Sequence, residues 1–256
     1  MTPADPRRAR GDGSAMAARG AVVGVLGGMG PLATVDFLHK MLAATPATID
    51  QEHVPVVVSS IPQVPDRARA ILGDGESPLG AIVHSGRRLA AAGADLVVMP
   101  CNTAHLWFDD IRRAIGLPML HLVDAAVEEA TALAGPGGRV GLLATDATLA
   151  SGLYVDRAPA DAARPLQWLL PTDDEVHRLV MPGIAAVKAG QLQRAADQLL
   201  RAAQALAKRG ASGVVLGCTE IPVVLDARNA PVPVVDATAA LARRAVAWSL
   251  ARRHAA

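Results

Sequence analysis

GVLGGMGPLAT, residues 24–34, is a short aliphatic run that breaks at Gly27, Gly28, Gly30 and Pro31. It reads as a buried strand turning tightly into a helix, with Pro31 at the first helical position. A counterpart, GLLATDATLAS, begins 117 residues later at Gly141, and the two cysteines, Cys101 in MPCNT and Cys218 in LGCTE, stand at the same offset. In that register Gly93 and Ala94 match Gly210 and Ala211, while Leu26 and Leu32 match Leu143 and Leu149. Isolated matches arise by chance in an aliphatic chain. Two cysteines each placed directly after an aliphatic run are harder to explain that way, so the chain reads as two similar α/β halves related by a pseudo-two-fold.

Working outward, further aliphatic runs start at Val54, Ala94, Pro118, Arg139, Ser212 and Pro231, each closed by Gly, Pro or a small polar residue. Between several of them, residues 79–92, 124–134, 176–190 and 191–209 carry apolar positions three and four apart, as crossover helices do. This alternation predicts an α/β fold of two doubly wound parallel-sheet lobes, with the carboxyl ends of the strands facing one cleft. The expected division is a first lobe of 21–120 plus 226–256 and a second of 121–225, with linkers near 116–122 and 223–232. Residues 237–254 are expected to close the chain as an amphipathic helix with an arginine-rich outer face.

Composition narrows the function classes. The 256 residues carry 25 Lys+Arg against 24 Asp+Glu, a formal charge of +1, and only 2% aromatics, so neither a basic footprint nor a stacking platform for nucleic acid is present. Although 51% of residues are hydrophobic, no run reaches the roughly 18 that a membrane span needs, so no membrane partner is expected. Two cysteines make no disulfide framework, and the opening MTPADPRRARGDGSAMAARG lacks a secretory apolar core. Residues 1–20 read as a disordered tail, Met16 as an alternative start, and the expected location is cytoplasmic.

Each cysteine follows a strand and precedes helix-start residues: Asn102 and Thr103 after Cys101, Thr219 and then Pro222 after Cys218. At a helix N-terminus the free N–H groups and the dipole favour thiolate and bind carboxylate. Two thiols on opposite walls of a cleft suit removal of a Cα proton from one face and its replacement on the other, which is racemisation by two bases. With each sulfur about 3.5 Å from Cα, the pair would stand roughly 7 Å apart.

At this point GVLGGMGPLAT, PQVPDR (62–67), MPCNTAH (99–105), GLLAT (141–145) and GCTEIP (217–222) together resemble the aspartate/glutamate racemase family, closest to its aspartate racemase branch. The resemblance implies an enzyme without pyridoxal phosphate or other cofactor, commonly a homodimer, acting on a small acidic amino acid. It implies Cys101 and Cys218 as the catalytic pair, with Cys218 the base toward the L-substrate and Cys101 toward the D-substrate. Arg67 then holds one carboxylate and Lys188, in VKAG, meets the side-chain carboxylate. Asn102, Thr103 and Thr219 offer backbone and side-chain donors to the α-carboxylate, Met29 caps the substrate, and Asp66 and Glu220 orient Arg67 or tune the thiols. Departures from the family pattern at Ser60, Ile61, Ala147 and the GIAAV stretch before Lys188 leave aspartate, glutamate or a broader range open.

Rival readings rest on fewer residues. GMGPLA (28–33) fits a loose dinucleotide fingerprint with Asp50 or Glu52 as its acid, but leaves the matched thiols without a purpose. Cys101, His105 and Cys218 would make three zinc ligands without a fourth, so no metal site is predicted. A non-catalytic amino-acid sensor needs the carboxylate contacts and not the thiols, and an isomerase or decarboxylase with one nucleophilic cysteine predicts a covalent adduct.

Overall fold

The structure is a computed structural model that describes residues 20–157 and 164–252. The expected tail and the start at Met16 lie, up to residue 19, outside the described residues. Strands β1 (Val23–Gly27), β2 (Val56–Ser60) and β3 (Leu96–Val98) form a parallel sheet in the order β2-β1-β3. A second parallel sheet joins β4 (Arg139–Leu143), β5 (Gln167–Leu169), β6 (Gly213–Leu216) and β7 (Val234–Asp236) in the order β5-β4-β6-β7. The order of the first sheet repeats in the second with β4, β5 and β6 in place of β1, β2 and β3. The repeat read from the cysteine spacing is therefore a repeat of topology.

The helices are α1 (Pro31–Ala44), α2 (Arg67–Leu72), α3 (Leu79–Ala91), α4 (Phe108–Ile115), α5 (Leu122–Ala134), α6 (Asp146–Ala150), α7 over 173–188, α8 (Leu192–Lys208) and α9 (Ala237–Leu250). A π turn, Val176–Val180, interrupts α7. Among the described residues no helix is long and apolar enough to cross a membrane.

Alternation along the strands assigns each sheet face to a core. Val23, Val25, Leu96 and Val98 of the first sheet and Val140, Leu142, Val215 and Val235 of the second share one central cluster with α5 and α9. The opposite faces, through Leu26 and Val97 or Leu143, Val214 and Leu216, pack on each half's own outer helices. The halves are thus joined through a common interior layer.

Two sequence expectations need correction. The run from Pro118 contributes only a single parallel bridge, Val97 to Met119, because His121 caps α5 by accepting the Val123 N–H at 3.2 Å and the chain turns helical at Leu122. The PVPVVD strand, expected with the first lobe, hydrogen-bonds to β6 in the second sheet. The arginines of α9 face outward and tie it to α5 at the surface: Arg243 donates to Glu129 at 2.8 and 2.5 Å and Arg244 pairs with Glu128.

Helix α9 also closes the molecule. Lys40 of α1 reaches across to Asp236 at 2.6 Å and Thr238 at 2.8 Å, and also pairs with Asp36. At the far end of α9, Ser249 Oγ donates to the carbonyl of Ala21 at 2.6 Å.

Candidate active site

The strand ends converge on one pocket enclosing about 370 Å³ of empty space out to its mouth, lined by Met29, Asp66, Arg67, Ala68, Cys101, Asn102, Thr103, Thr145, Lys188, Cys218, Thr219 and Glu220. Met29 follows β1, Arg67 follows the loop after β2, and Cys101 follows β3. Thr145 and Cys218 follow β4 and β6, and Lys188 ends α7. Every residue that the family resemblance named for the site lines this pocket. Ala68 and Thr145 were missed as site residues, although Thr145 closes the GLLAT motif.

The glycine turn makes room for the opposing loop. Gly28 has φ +90, and a Cβ there would lie 2.4 Å from the backbone nitrogen of Ile61, so the β1 turn can approach the loop leading to Arg67 only without a side chain. A Cβ on Gly30 would meet Glu220 Oε1 at 3.3 Å, so this turn also accommodates the carboxylate arriving from the second half. The glycines serve this close approach. The acids of the dinucleotide reading, Asp50 and Glu52, lie in a separate 3₁₀ turn before β2.

Arg67 is the first residue of α2, and Asp66 caps that helix by accepting the N–H groups of Ala68 at 2.9 Å and Arg69 at 3.0 Å. Burial works against the charged form of Asp66. The Arg69 N–H, the charges of Arg67 and Lys188 and the Ala68 N–H outweigh it and hold the carboxyl below its usual range. Asp66 therefore acts on Arg67 through the helix start. Arg67 Nη1 donates to the carbonyls of Val64 and Pro65 at 3.2 and 3.0 Å, which fixes the guanidinium plane, while Nε is buried with no partner among the described residues. Asn102 Nδ2 is likewise buried and unpartnered. Lys188 is exposed at the rim.

Both sulfurs are buried, Cys101 at 5% and Cys218 at 6% exposure, and both are free thiols. The expected helix-start environment is corrected. Each cysteine leads into a 3₁₀ turn, Thr103–Trp107 or Ile221–Val223, and Asn102 makes no cap because its Oδ1 accepts from the Tyr154 hydroxyl. The hydroxyls have other duties too. Thr103 Oγ1 lies 2.9 Å from Thr148 Oγ1 and 3.3 Å from Thr145 Oγ1, and Thr219 donates to Glu220 at 3.3 Å. Thr219 thus directs its hydroxyl proton at Glu220, while the Thr103 hydroxyl shares a cluster with those of Thr145 and Thr148.

Cys218 donates its S–H to Glu220 Oε2 at 3.0 Å. Burial first, and then the charge of Glu220 and this hydrogen bond, push the Cys218 thiol up, against smaller opposing contributions from the Glu220 backbone and Lys188. This reverses the thiolate-favouring expectation for Cys218. Its sulfur is held as a thiol, and the hydrogen bonds of the Glu220 carboxylate go to Cys218 and Thr219.

His105, the third atom source of the zinc reading, is structural. Its Nδ1 lies 2.8 Å from the Cys101 carbonyl and its Nε2 accepts the Leu122 N–H at 3.1 Å, so both ring nitrogens tie the Cys101 loop to the start of α5. Burial pushes it down to about 4, leaving the ring neutral at pH 7 with its proton on Nδ1.

Known proteins share the sequence pattern and fold of this chain. The solved aspartate racemase of Picrophilus torridus is 32% identical, covers 89% of this chain and 95% of its own, and superposes with a TM-score of 0.76. The broad specificity amino-acid racemase RacX of Bacillus subtilis (strain 168) is 27% identical over 90% of this chain and 99% of its own length. A glutamate racemase of Desulforudis audaxviator (strain MP104C) is 29% identical over 77% of this chain and 66% of its own length. A family model described as Asp/Glu/Hydantoin racemase matches residues 26–245. With that match spanning nearly the whole described fold and the paired cysteines inside one pocket, the chain belongs to the Asp/Glu/hydantoin racemase family and is an amino-acid racemase by kinship.

Proposed function

We propose that the chain racemises aspartate without a cofactor, with Cys101 and Cys218 as opposed acid and base. The observation that carries this reading is one buried sulfur from each half in the same small pocket, beside two cations and two buried donors without a partner among the described residues. Arg67 Nε and Asn102 Nδ2 would donate to a carboxylate, which offers about four acceptor positions. Lys188 at the rim would meet the second carboxylate of an acidic side chain.

The protonation pattern supplies a direction. In the direction that uses Cys218 as the acid, its S–H held toward Glu220, Cys101 acts as the base. Cys101 Sγ takes the Cα proton and the electron pair passes into the carboxylate as an enediolate. Cys218 then delivers its proton to the opposite face, which re-forms the Cα–H bond with inverted configuration. The step leaves Cys101 as thiol and Cys218 as thiolate, so the pair titrates as one coupled unit. Resemblance to the family supports a homodimer working in the cytoplasm.

A second reading widens the substrate range. Outside the pocket, and sharing Asp66, Arg67, Lys188 and Glu220 with it, lies a vestibule of about 1080 Å³ with Leu32, Pro62, Val64 and Val187 on its walls. Apolar walls there favour side chains longer than that of aspartate, in line with the relative named for broad specificity.

The deciding experiment incubates the protein with single L-amino acids in deuterated water and follows optical inversion together with Cα deuterium. Inversion with deuterium for aspartate supports the first reading, and inversion of apolar amino acids at comparable rates supports the second. Neither signal for any amino acid refutes both.

A further inference from the structure

We propose that Tyr154 is a positioning residue for the substrate: by donating its hydroxyl to Asn102 Oδ1 it sets the Asn102 amide so that Nδ2 is the atom offered to the substrate carboxylate. This rests on the racemase reading above.

Tyr154, the single tyrosine of the chain, is fully buried in the turn that follows α6, with its ring edge-on to Trp168 at 5.8 Å. Its hydroxyl meets Asn102, whose neighbour is Cys101. The two residues are 52 positions apart and come from different halves of the repeat, so this hydrogen bond ties a residue of the pocket wall to the other half. The contacts of Thr103 with Thr145 and Thr148 lie alongside it and cross in the same way.

A side-chain amide has two ends of similar size and opposite polarity, and nothing in its shape chooses between them. Here the choice is made by proton accounting. The phenol is buried, and burial, with Cys218 and Asp236 nearby, keeps it protonated. Its proton needs an acceptor, and Oδ1 is that acceptor. Turning the amide over would leave the phenolic proton without a partner and bring Oδ1 against an anionic substrate, two penalties in one motion. The observed orientation leaves Nδ2 buried, unpartnered and in the wall of the pocket. The amide is poised as a donor before substrate arrives.

The test is a double-variant cycle on the full chain. The probe is succinate, a dicarboxylate without an ammonium group or a stereocentre, followed by calorimetric titration. Tyr154→Phe removes one oxygen and keeps the ring that fills the core. Its succinate affinity is expected to fall on the order of tenfold, with a parallel rise in KM for the racemised amino acid and a much smaller change in kcat. Within Asn102→Ala the second change, Tyr154→Phe, adds nothing further. Asn102→Asp keeps an acceptor for Tyr154 but presents an oxygen where Nδ2 stood, and it loses at least as much affinity as Asn102→Ala. Unchanged succinate affinity in Tyr154→Phe, an additive loss in the double variant, or retained affinity in Asn102→Asp each overturns the proposal. Should Tyr154→Phe fail to fold, retained succinate affinity in Asn102→Asp still overturns the proposal. Failure of the racemase reading shows separately, as a wild-type protein that binds succinate and inverts no amino acid.

Discussion

Cys218 and Glu220 set the chemistry at the scale of single residues. A thiol hydrogen-bonded to a buried carboxylate is a poor thiolate, and the same contact makes it a ready acid. Glu220→Gln removes the negative charge and lowers the Cys218 pKa. In the direction that uses Cys218 as the acid, activity falls as pH rises through that pKa, so the alkaline limb of kcat/KM moves to lower pH in the variant. An unmoved limb would show that Glu220 does not govern this thiol. Replacing either cysteine by alanine is expected to lower inversion by about 10²- to 10⁴-fold, the usual worth of a positioned acid or base. The surviving thiolate should still exchange Cα–H for deuterium on one face, and mass spectrometry of unreacted substrate reads this directly. The cysteines were legible in the sequence because each closely follows an aliphatic strand, and Arg67 and Lys188 because each stands in a short motif, PQVPDR or VKAG, at the start or end of a helix. Tyr154 was not, since no neighbour in sequence marks it and its partner lies 52 residues away.

Among the elements, α2 is the most exposed to a single change. It has six residues, too few to persist on propensity alone, and Asp66 holds its first turn. Asp66→Ala is expected to cost about 1 kcal/mol of stability. It also raises KM severalfold with little change in kcat, because Arg67 loses its fixed base. Asp66→Ser, which still caps, recovers most of both, and thermal melts with steady-state kinetics check the pair. The sheets show where element-level reading succeeds and stops. Strands β1, β3, β4 and β6 announce themselves as aliphatic runs. Strand β5 is three residues, Gln167–Leu169, in a stretch bounded by Pro165 and Pro171, and its pairing with β4 supplies what its own residues do not signal. The strand Val234–Asp236 was visible as a strand, but the sheet it joins depends on a long-range choice of edge.

At the scale of the whole molecule, the shared interior layer predicts that the two halves unfold together. One calorimetric transition is expected, with calorimetric and van't Hoff enthalpies equal, and two resolved transitions would contradict a common core. Acid should weaken that unit. His105 takes its proton near 6.5 when unfolded and only at about 4 when folded, and burial with nearby His105 and Arg157 pushes His121 down to about 2. Below pH 6.5 the unfolded chain binds more protons, so this contribution is complete above 6.5 and shrinks as pH falls toward 4. The loss is at most about 1.4 kcal/mol per pH unit for each histidine. A melting temperature that stays level from pH 7.5 to 4.5 would rule this out. One last consequence follows from the bond between Ser249 and Ala21, which brings the two ends of the described fold side by side. Gly93 sits in an exposed turn at the amino end of β3, the end of that strand remote from Cys101. A circularly permuted gene, spliced across the seam and reopened at Gly93, should therefore yield a working protein, its order of synthesis changed and its catalytic walls untouched.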